Sequence, residues 1–262
     1  MGESIFSAHD ELLRQVELRL LHLRLAGMDF LPSLPGAIDP EIEDALYAPA
    51  EEIPPTPEDL LAARRTSLEV LRKTVSACTR CPELASTRSQ TVFGTGPLSP
   101  DLLIVGEAPG AEEDRQGVPF VGAAGQLLTR ILAAGGFSRE EVAIVNVLAC
   151  RPPGNRTPKP EECANCRDHL LGQIRLFEPR YILAMGVTAM TAAIGTGWSI
   201  ARARGKFHDR DGIPVLVTYH PANLLDGRSP ENKKLVWEDV QLLVKTMGRQ
   251  LPSRVPGKRV DD

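Results

Sequence analysis

The chain has 262 residues, 42% of them hydrophobic, enough for one generous domain with a packed core or for one domain plus an appendage. Its longest apolar runs are too short to span a membrane, and the opening MGESIFSAHDELL lacks the basic and apolar regions of a signal peptide, so a cytoplasmic protein without membrane association is expected. The net charge of -4 conceals a split: residues 1–62 carry 13 acidic and 3 basic side chains, whereas residues 63–262 carry 27 basic and 21 acidic ones, a basic body compatible with a polyanionic partner.

In chain order, residues 7–27 place Leu13, Val16, Leu20 and Leu23 at helical spacing. Residues 31–57 then hold seven prolines and several acids, a composition that reads as a linker without a core of its own. Thr56-Pro57-Glu58-Asp59 is a helix start signal, and that helix is expected to run to about Ala77. Four short apolar runs follow, Leu102–Gly106, Val142–Ala149, Tyr181–Gly186 and Val215–Tyr219. They alternate with helical stretches near 123–134, 158–177, 187–194 and 230–248. The runs lack polar alternation, as strands buried on both faces do, and the alternation implies parallel strands joined by crossover helices. In open sheets of this kind ligands bind at the carboxyl ends of the strands. The unusual residues of this chain fall there: Gly106-Glu107-Ala108-Pro109-Gly110 after the first run, Asn146 and Cys150-Arg151-Pro152-Pro153 along the second, and His220-Pro221 after the fourth.

The five cysteines, Cys78, Cys81, Cys150, Cys163 and Cys166, are odd in number and clustered, which argues for metal or cluster ligation over a disulfide framework. Cys78 and Cys81 form a close pair, and Cys150 and Cys166 are the chosen partners. Zinc on the pairs Cys78/Cys81 and Cys163/Cys166 is the rival reading, and spacing alone does not separate zinc from iron–sulfur. Glu107 reads equally as a functional carboxylate or as an acid favoured at a helix N-terminus. Glu113 and Asp114 read as acids in a polar loop. Phe120 reads as core or as a stacking platform. Asn146, polar in an apolar strand, needs hydrogen-bond partners and offers both a donor and an acceptor. His220 is a candidate for binding a developing anion. Arg151, Arg156, Lys159, Arg202, Arg204 and Lys206 are candidate phosphate contacts or solvated loop charges.

Taken together, three blocks resemble the family 4 uracil-DNA glycosylases, the iron–sulfur branch of their superfamily, over about residues 74–248. The first block is Gly106-Glu107-Ala108-Pro109-Gly110-Ala111-Glu112-Glu113-Asp114, continuing to Gly117-Val118-Pro119-Phe120-Val121-Gly122. The middle block runs from Asn146 through Cys150-Arg151-Pro152-Pro153-Gly154-Asn155-Arg156-Thr157-Pro158, and the last is His220-Pro221-Ala222-Asn223-Leu224-Leu225. The resemblance implies excision of uracil from single- or double-stranded DNA by hydrolysis of the N-glycosidic bond. It implies a 4Fe-4S cluster on Cys78, Cys81, Cys150 and Cys166, with Cys163 a spare thiol. It also implies a uracil pocket of Gly106, Glu107, Ala108, Phe120, Asn146 and His220. Glu107, Glu113, Asn155 and His220 are the implied catalytic positions. Arg151, Arg156, Arg204, Leu224 and Leu225 are expected to contact DNA, either leucine filling the vacated stack. Where the best-known branch of the superfamily has an aspartate, this chain has Ala108.

The expected fold is α/β: a three-layer α/β/α sandwich with a central four-stranded, mostly parallel sheet, plus an N-terminal helical extension. The expected division is an acidic helical extension and linker at 1–65, a glycosylase domain at 66–250 and a disordered tail at 251–262. A monomer is expected. The alternatives are a uracil-DNA binding protein with little turnover, a zinc-bound module on an inactive fold, and a glycosylase for other deaminated bases.

Overall fold

The computed structural model describes residues 56–225 and 230–253. The helix expected at 7–27, nearly all of the proline-rich linker and most of the tail from 251 lie outside the described residues. The chain divides into two compact units, residues 1–67 and 68–262. The described part of the first unit is the start of helix α1 (Pro57–Ser76). Its cap is the expected one. The Thr56 backbone N–H and hydroxyl both donate to Asp59 Oδ2, at 3.1 and 2.7 Å, and the Asp59 N–H donates back to Thr56 Oγ1 at 3.1 Å. Two end groups of the helix are thereby satisfied reciprocally.

In the second unit the strands are β1 (Leu102–Gly106), β2 (Ala143–Asn146), β3 (Tyr181–Met185), β4 (Phe207–Arg210) and β5 (Ile213–Thr218). The helices are α2 (Pro82–Thr87), α3 (Ala111–Gln116), α4 (Ala123–Ala134), α5 (Pro160–Phe177), α6 (Val187–Ile194), α7 (Ile200–Ala203) and α8 (Pro230–Thr246). Single 3₁₀ turns lie at Pro153–Asn155 and Pro221–Leu224.

The sheet order is β2-β1-β3-β5-β4. The three pairs among β2, β1, β3 and β5 are parallel, and β4 lies antiparallel on β5. Because strand side chains alternate between faces, each strand feeds two cores. Leu103, Val105, Val145, Ile182, Ala184 and Val217 pack with Leu170, Ile174 and Phe177 of α5 and Met190 of α6. Leu102, Ile104, Ile144, Leu183, Met185 and Leu216 pack with Leu128 and Leu132 of α4 and Val240 and Leu243 of α8. Both faces are therefore apolar, and the three-layer sandwich follows. Each fully buried side chain of this size stabilises the fold by about 1.5–3 kcal/mol.

The expectation of four strands is corrected to five. Phe207-His208-Asp209-Arg210 has one apolar side chain and sits at the sheet edge, so it carries none of the two-faced apolar signal of the central strands. Its mark was the hairpin turn. Asp211 and Gly212 both have positive φ, 51° and 85°, the conformation that favours Asp-Gly in two-residue hairpins. Strand β2 is shorter than the apolar run suggested. Beyond Asn146 the chain bends around the end of β1, where the N–H groups of Val147 and Leu148 donate to the carbonyls of Gly106 and Glu107, both at 3.0 Å.

Since β1 lies between β2 and β3, the chain runs from β1 out to β2 and then back past β1 to β3, and the reversal of strand order marks the carboxyl ends of these strands as the place where ligands bind in such sheets. No helix among the described residues is long and apolar enough to cross a membrane.

Candidate active site and cysteine cleft

At this switch point β1 ends in Gly106. A Cβ there would overlap Asn146 Oδ1 and the Phe120 ring, so a glycine is what lets both lie over the strand end. Phe120 has φ 53°, a left-handed backbone for a bulky residue, which costs about 1–3 kcal/mol and persists only where the surroundings enforce it. Three neighbours do so. Glu113 Oε1 accepts the N–H groups of Val121 and Gly122, at 2.9 and 2.8 Å, while its Oε2 accepts that of Gly110 at 3.0 Å. Arg139 donates to the Pro119 carbonyl at 2.5 Å. Gly125, at the start of α4, lies where any Cβ would collide with the Phe120 carbonyl.

His220 follows β5. Its ring centroid lies 5.6 Å from that of Phe120 at an interplanar angle of 35°. The Ala222 N–H donates to His220 Nδ1 at 3.2 Å, so a neutral ring carries its proton on Nε2. Burial lowers the His220 pKa to about 4, against the opposing pull of the Glu113 charge, so the ring is neutral near pH 7. Asn146 ends β2 at 7% exposure, and its Oδ1 is buried without a hydrogen-bond partner. Leaving such an atom unpaired costs about 1–3 kcal/mol. Glu107, in the turn after β1, accepts the hydroxyl of Thr188 at 2.5 Å and is half-buried with Ala108.

The structure thus brings Gly106, Phe120, Asn146 and His220 into one crevice, with Glu113 bracing its loops. Asn155 is placed differently. It is exposed on the turn after Cys150, at φ 55°, and its Oδ1 accepts Arg151 Nε at 2.7 Å.

Two of the cations expected at DNA are held internally. Arg156 forks onto the buried Glu162 at 2.6 and 2.9 Å and also reaches Glu83 at 3.1 Å. Arg204 pairs with the fully buried Asp239 and donates to the Leu235 carbonyl. Neither guanidinium lacks a carboxylate partner, because each staples a loop to a helix. Of the two leucines, Leu224 packs into the core at 3% exposure, while Leu225 is 42% exposed. Leu225 is thus the exposed member of the pair.

A second cavity opens beside the loop between α1 and α2. This cleft is lined by Cys78, Cys81, Cys150 and Cys166, with Val75, Leu84 and Leu148 supplying apolar walls. Each of the four sulfurs accepts one N–H from a different residue: Cys150 from Arg88 at 3.0 Å, Cys166 from the Ala149 backbone at 3.4 Å, Cys78 from Arg80 at 3.5 Å and Cys81 from Asn165 at 3.6 Å. Cys163 instead packs against the core formed with α5 and α6. The second Cys-x2-Cys pair of the zinc reading is therefore not presented together. Among the described residues no three His, Cys, Asp or Glu side chains converge on a single ion. Burial pushes the Cys166 thiol up to about 12, whereas for Cys78 the hydrogen bonds and charge of Arg80 outweigh burial and bring it down.

Crevice and cleft are tied together. Arg88 also donates to the carbonyls of Cys78 and Ser76, at 2.8 and 3.3 Å. The next residue, Ser89, gives its N–H to both carboxylate oxygens of the buried Asp114, at 3.0 Å each, and Asp114 is the neighbour of Glu113.

The sequence matches the family model of the uracil DNA glycosylase superfamily over residues 93–241. A type-4 uracil-DNA glycosylase of Thermotoga maritima is 45% identical over 180 residues, covering 68% of this chain and 93% of that protein. A type-4 uracil-DNA glycosylase of Archaeoglobus fulgidus is 36% identical over 195 residues, covering 71% of this chain and 96% of its own. The chain belongs to the type-4 uracil-DNA glycosylase family. The matched region spans the crevice residues together with Cys150 and Cys166, whereas Cys78 and Cys81 precede it. Outside the family's motifs, Arg88, Arg139, Asn165, His169 and Thr188 were not singled out from the sequence. Only Thr188, two residues beyond the glycine that ends the third apolar run, carried a positional signal.

Proposed function

We infer that this protein is a uracil-DNA glycosylase of base excision repair, hydrolysing the N-glycosidic bond of uracil in DNA. The observation that carries the reading is the meeting of Phe120 and His220 rings at 5.6 Å beside the unpartnered Oδ1 of Asn146, in a chain of this family. Uracil is a planar imide, with one N–H between two carbonyls. Phe120 offers a face for stacking, Asn146 Oδ1 an acceptor for the imide N–H, and His220 Nε2–H a donor for the O2 carbonyl.

Flipping the nucleotide out of a duplex costs a few kcal/mol, less from a single strand. Leu225 fills the vacated stack, and Arg151, its Nε oriented by Asn155, meets the backbone phosphates. As the glycosidic bond lengthens, negative charge gathers on uracil O2 and positive charge on the sugar. A neutral His220 donates to the forming oxyanion from a fixed position, together with backbone N–H groups near Ala108. Glu107, its carboxylate aligned by Thr188, positions the water or offsets the sugar charge. Glu113 acts through the loops it grips, since three N–H donors already occupy its carboxylate. The products are free uracil and an abasic site, with the strand intact.

Cys78, Cys81, Cys150 and Cys166 fit a 4Fe-4S cluster: four sulfurs around one apolar-walled cleft, each with an N–H donor, as cluster-bound thiolates are commonly stabilised. When bound, the cluster supplies cross-linking of the α1–α2 loop to Cys150 and α5, not electron transfer. Residues 66–250 form the catalytic domain in this reading, and 1–65 an acidic extension.

The test is excision from uracil-containing single- and double-stranded oligonucleotides, with alkali to reveal abasic sites. Intact strands across a range of salt would overturn the reading. Absorbance near 400 nm with iron and sulfide in the purified protein supports the cluster, and stoichiometric zinc would replace it.

A further inference from the structure

The cleft holds a polar group that neither the ligands nor the base pocket uses. His169 lines it alongside the four cysteines, is 7% exposed, and has its Nε2 buried without a hydrogen-bond partner. It lies three residues after Cys166 on α5, so the two side chains share one side of the helix. An imidazole nitrogen sealed in this way costs about 1–3 kcal/mol unless something in the cleft meets it. The other polar side chains of the lining, Arg80, Arg88 and Asn165, each direct an N–H at a sulfur. The acceptors that the cleft gathers are its four sulfurs.

We propose that the His169 imidazole supplies a fifth N–H to the iron–sulfur assembly, completing the donor set of Arg80, Arg88, Asn165 and the Ala149 backbone. The inference rests on the cluster reading above and deepens it. Four cysteines already satisfy four irons, so His169 need not ligate. Its acceptor is an inorganic sulfide or a ligating sulfur, both rich in lone pairs. Hydrogen bonds to cluster sulfurs stabilise the more negative oxidation state and raise the reduction potential. His169 is therefore a positioning and tuning residue for the cluster, without contact to the base.

The experiment compares the intact holoprotein with His169→Leu, which removes the donor, and His169→Gln, which keeps an N–H. Iron and sulfide per chain, the cluster midpoint potential by film voltammetry, and exchangeable-proton hyperfine couplings of the paramagnetic cluster are read. The Leu variant is expected to shift the midpoint to more negative values and to lose one exchangeable-proton coupling. The Gln variant should restore most of the shift. Loss of the cluster from the Leu variant alone would likewise support the donor role. Equal midpoints in wild type and Leu at equal iron content would overturn it, as would identical shifts or identical cluster loss in Leu and Gln, which would mark a packing role. Wild-type protein that takes up no iron and sulfide on anaerobic reconstitution would overturn the cluster reading, and this inference with it.

Discussion

The base crevice and the cysteine cleft lie on the same sheet but solve opposite problems. In the crevice, the groups proposed to bind the base are held by groups that are not. Phe120 is forced into a left-handed backbone by Glu113, Arg139 and Gly125, while Asn146 keeps an acceptor unpaired. In the cleft, every sulfur is paired with an N–H, and the polar atom left over is one of His169. A catalytic pocket keeps recognition groups unsatisfied until substrate arrives, and the scaffold carries that cost. A cofactor cradle gains by satisfying all of its ligands.

The largest expected effect separates the two regions. His220→Ala should lower the excision rate by about 100- to 1000-fold, the scale of losing one donor to a developing oxyanion, and Asn146→Ala, which removes the acceptor for the imide N–H, should also lower it. Visible absorbance should stay unchanged in both. Bleaching in either variant would mean that the regions are not separable. Next, Glu113→Ala deprives three backbone N–H groups of a charged acceptor. Chemical unfolding should show a loss of about 3 kcal/mol, with weaker inhibition by free uracil as the Phe120 loop relaxes. Full stability in this variant would remove Glu113 as the brace. Asp114→Asn weakens the tie to Ser89, and a smaller loss of about 1 kcal/mol is expected in the same measurement.

The smallest effect is on pH. The folded pKa of His220, about 4, lies below its ordinary value of 6.5, so the fold favours the neutral ring. Its contribution to stability is whole above pH 6.5 and declines as pH falls toward 4. His220→Gln should flatten the stability profile across that window. An unaltered profile would mean that the ring is solvated and does not titrate as the crevice predicts.

Much of this was legible in the sequence. The central strands announced themselves because both of their faces are buried, and the crevice followed from Gly106, Asn146 and His220 falling at strand ends. The Thr56 cap was legible because its partner is three residues away. Strand β4 was not, because an edge strand with one apolar residue has no periodic signature. Phe120 reads from the sequence as core or platform, and the structure buries it at 6% exposure in the core while its ring lies 5.6 Å from that of His220. Arg156 and Arg204 looked like phosphate ligands because a sequence displays a charge but not the carboxylate opposite it. Arg88 meets Cys150 across 62 positions and Asn165 meets Cys81 across 84, separations over which no local pattern reports.

Arg88 and Ser89 are consecutive, yet one grips a sulfur and the other the helix whose Glu113 braces the Phe120 loop. A single peptide bond separates the two grips, which leaves little slack for either end to drift alone. Grafting the sulfur-bearing lobe of a relative onto this scaffold would therefore have to carry residues 88 to 114 as one block. Exchanging the cysteines by themselves would leave the transplanted lobe out of step with the pocket it abuts.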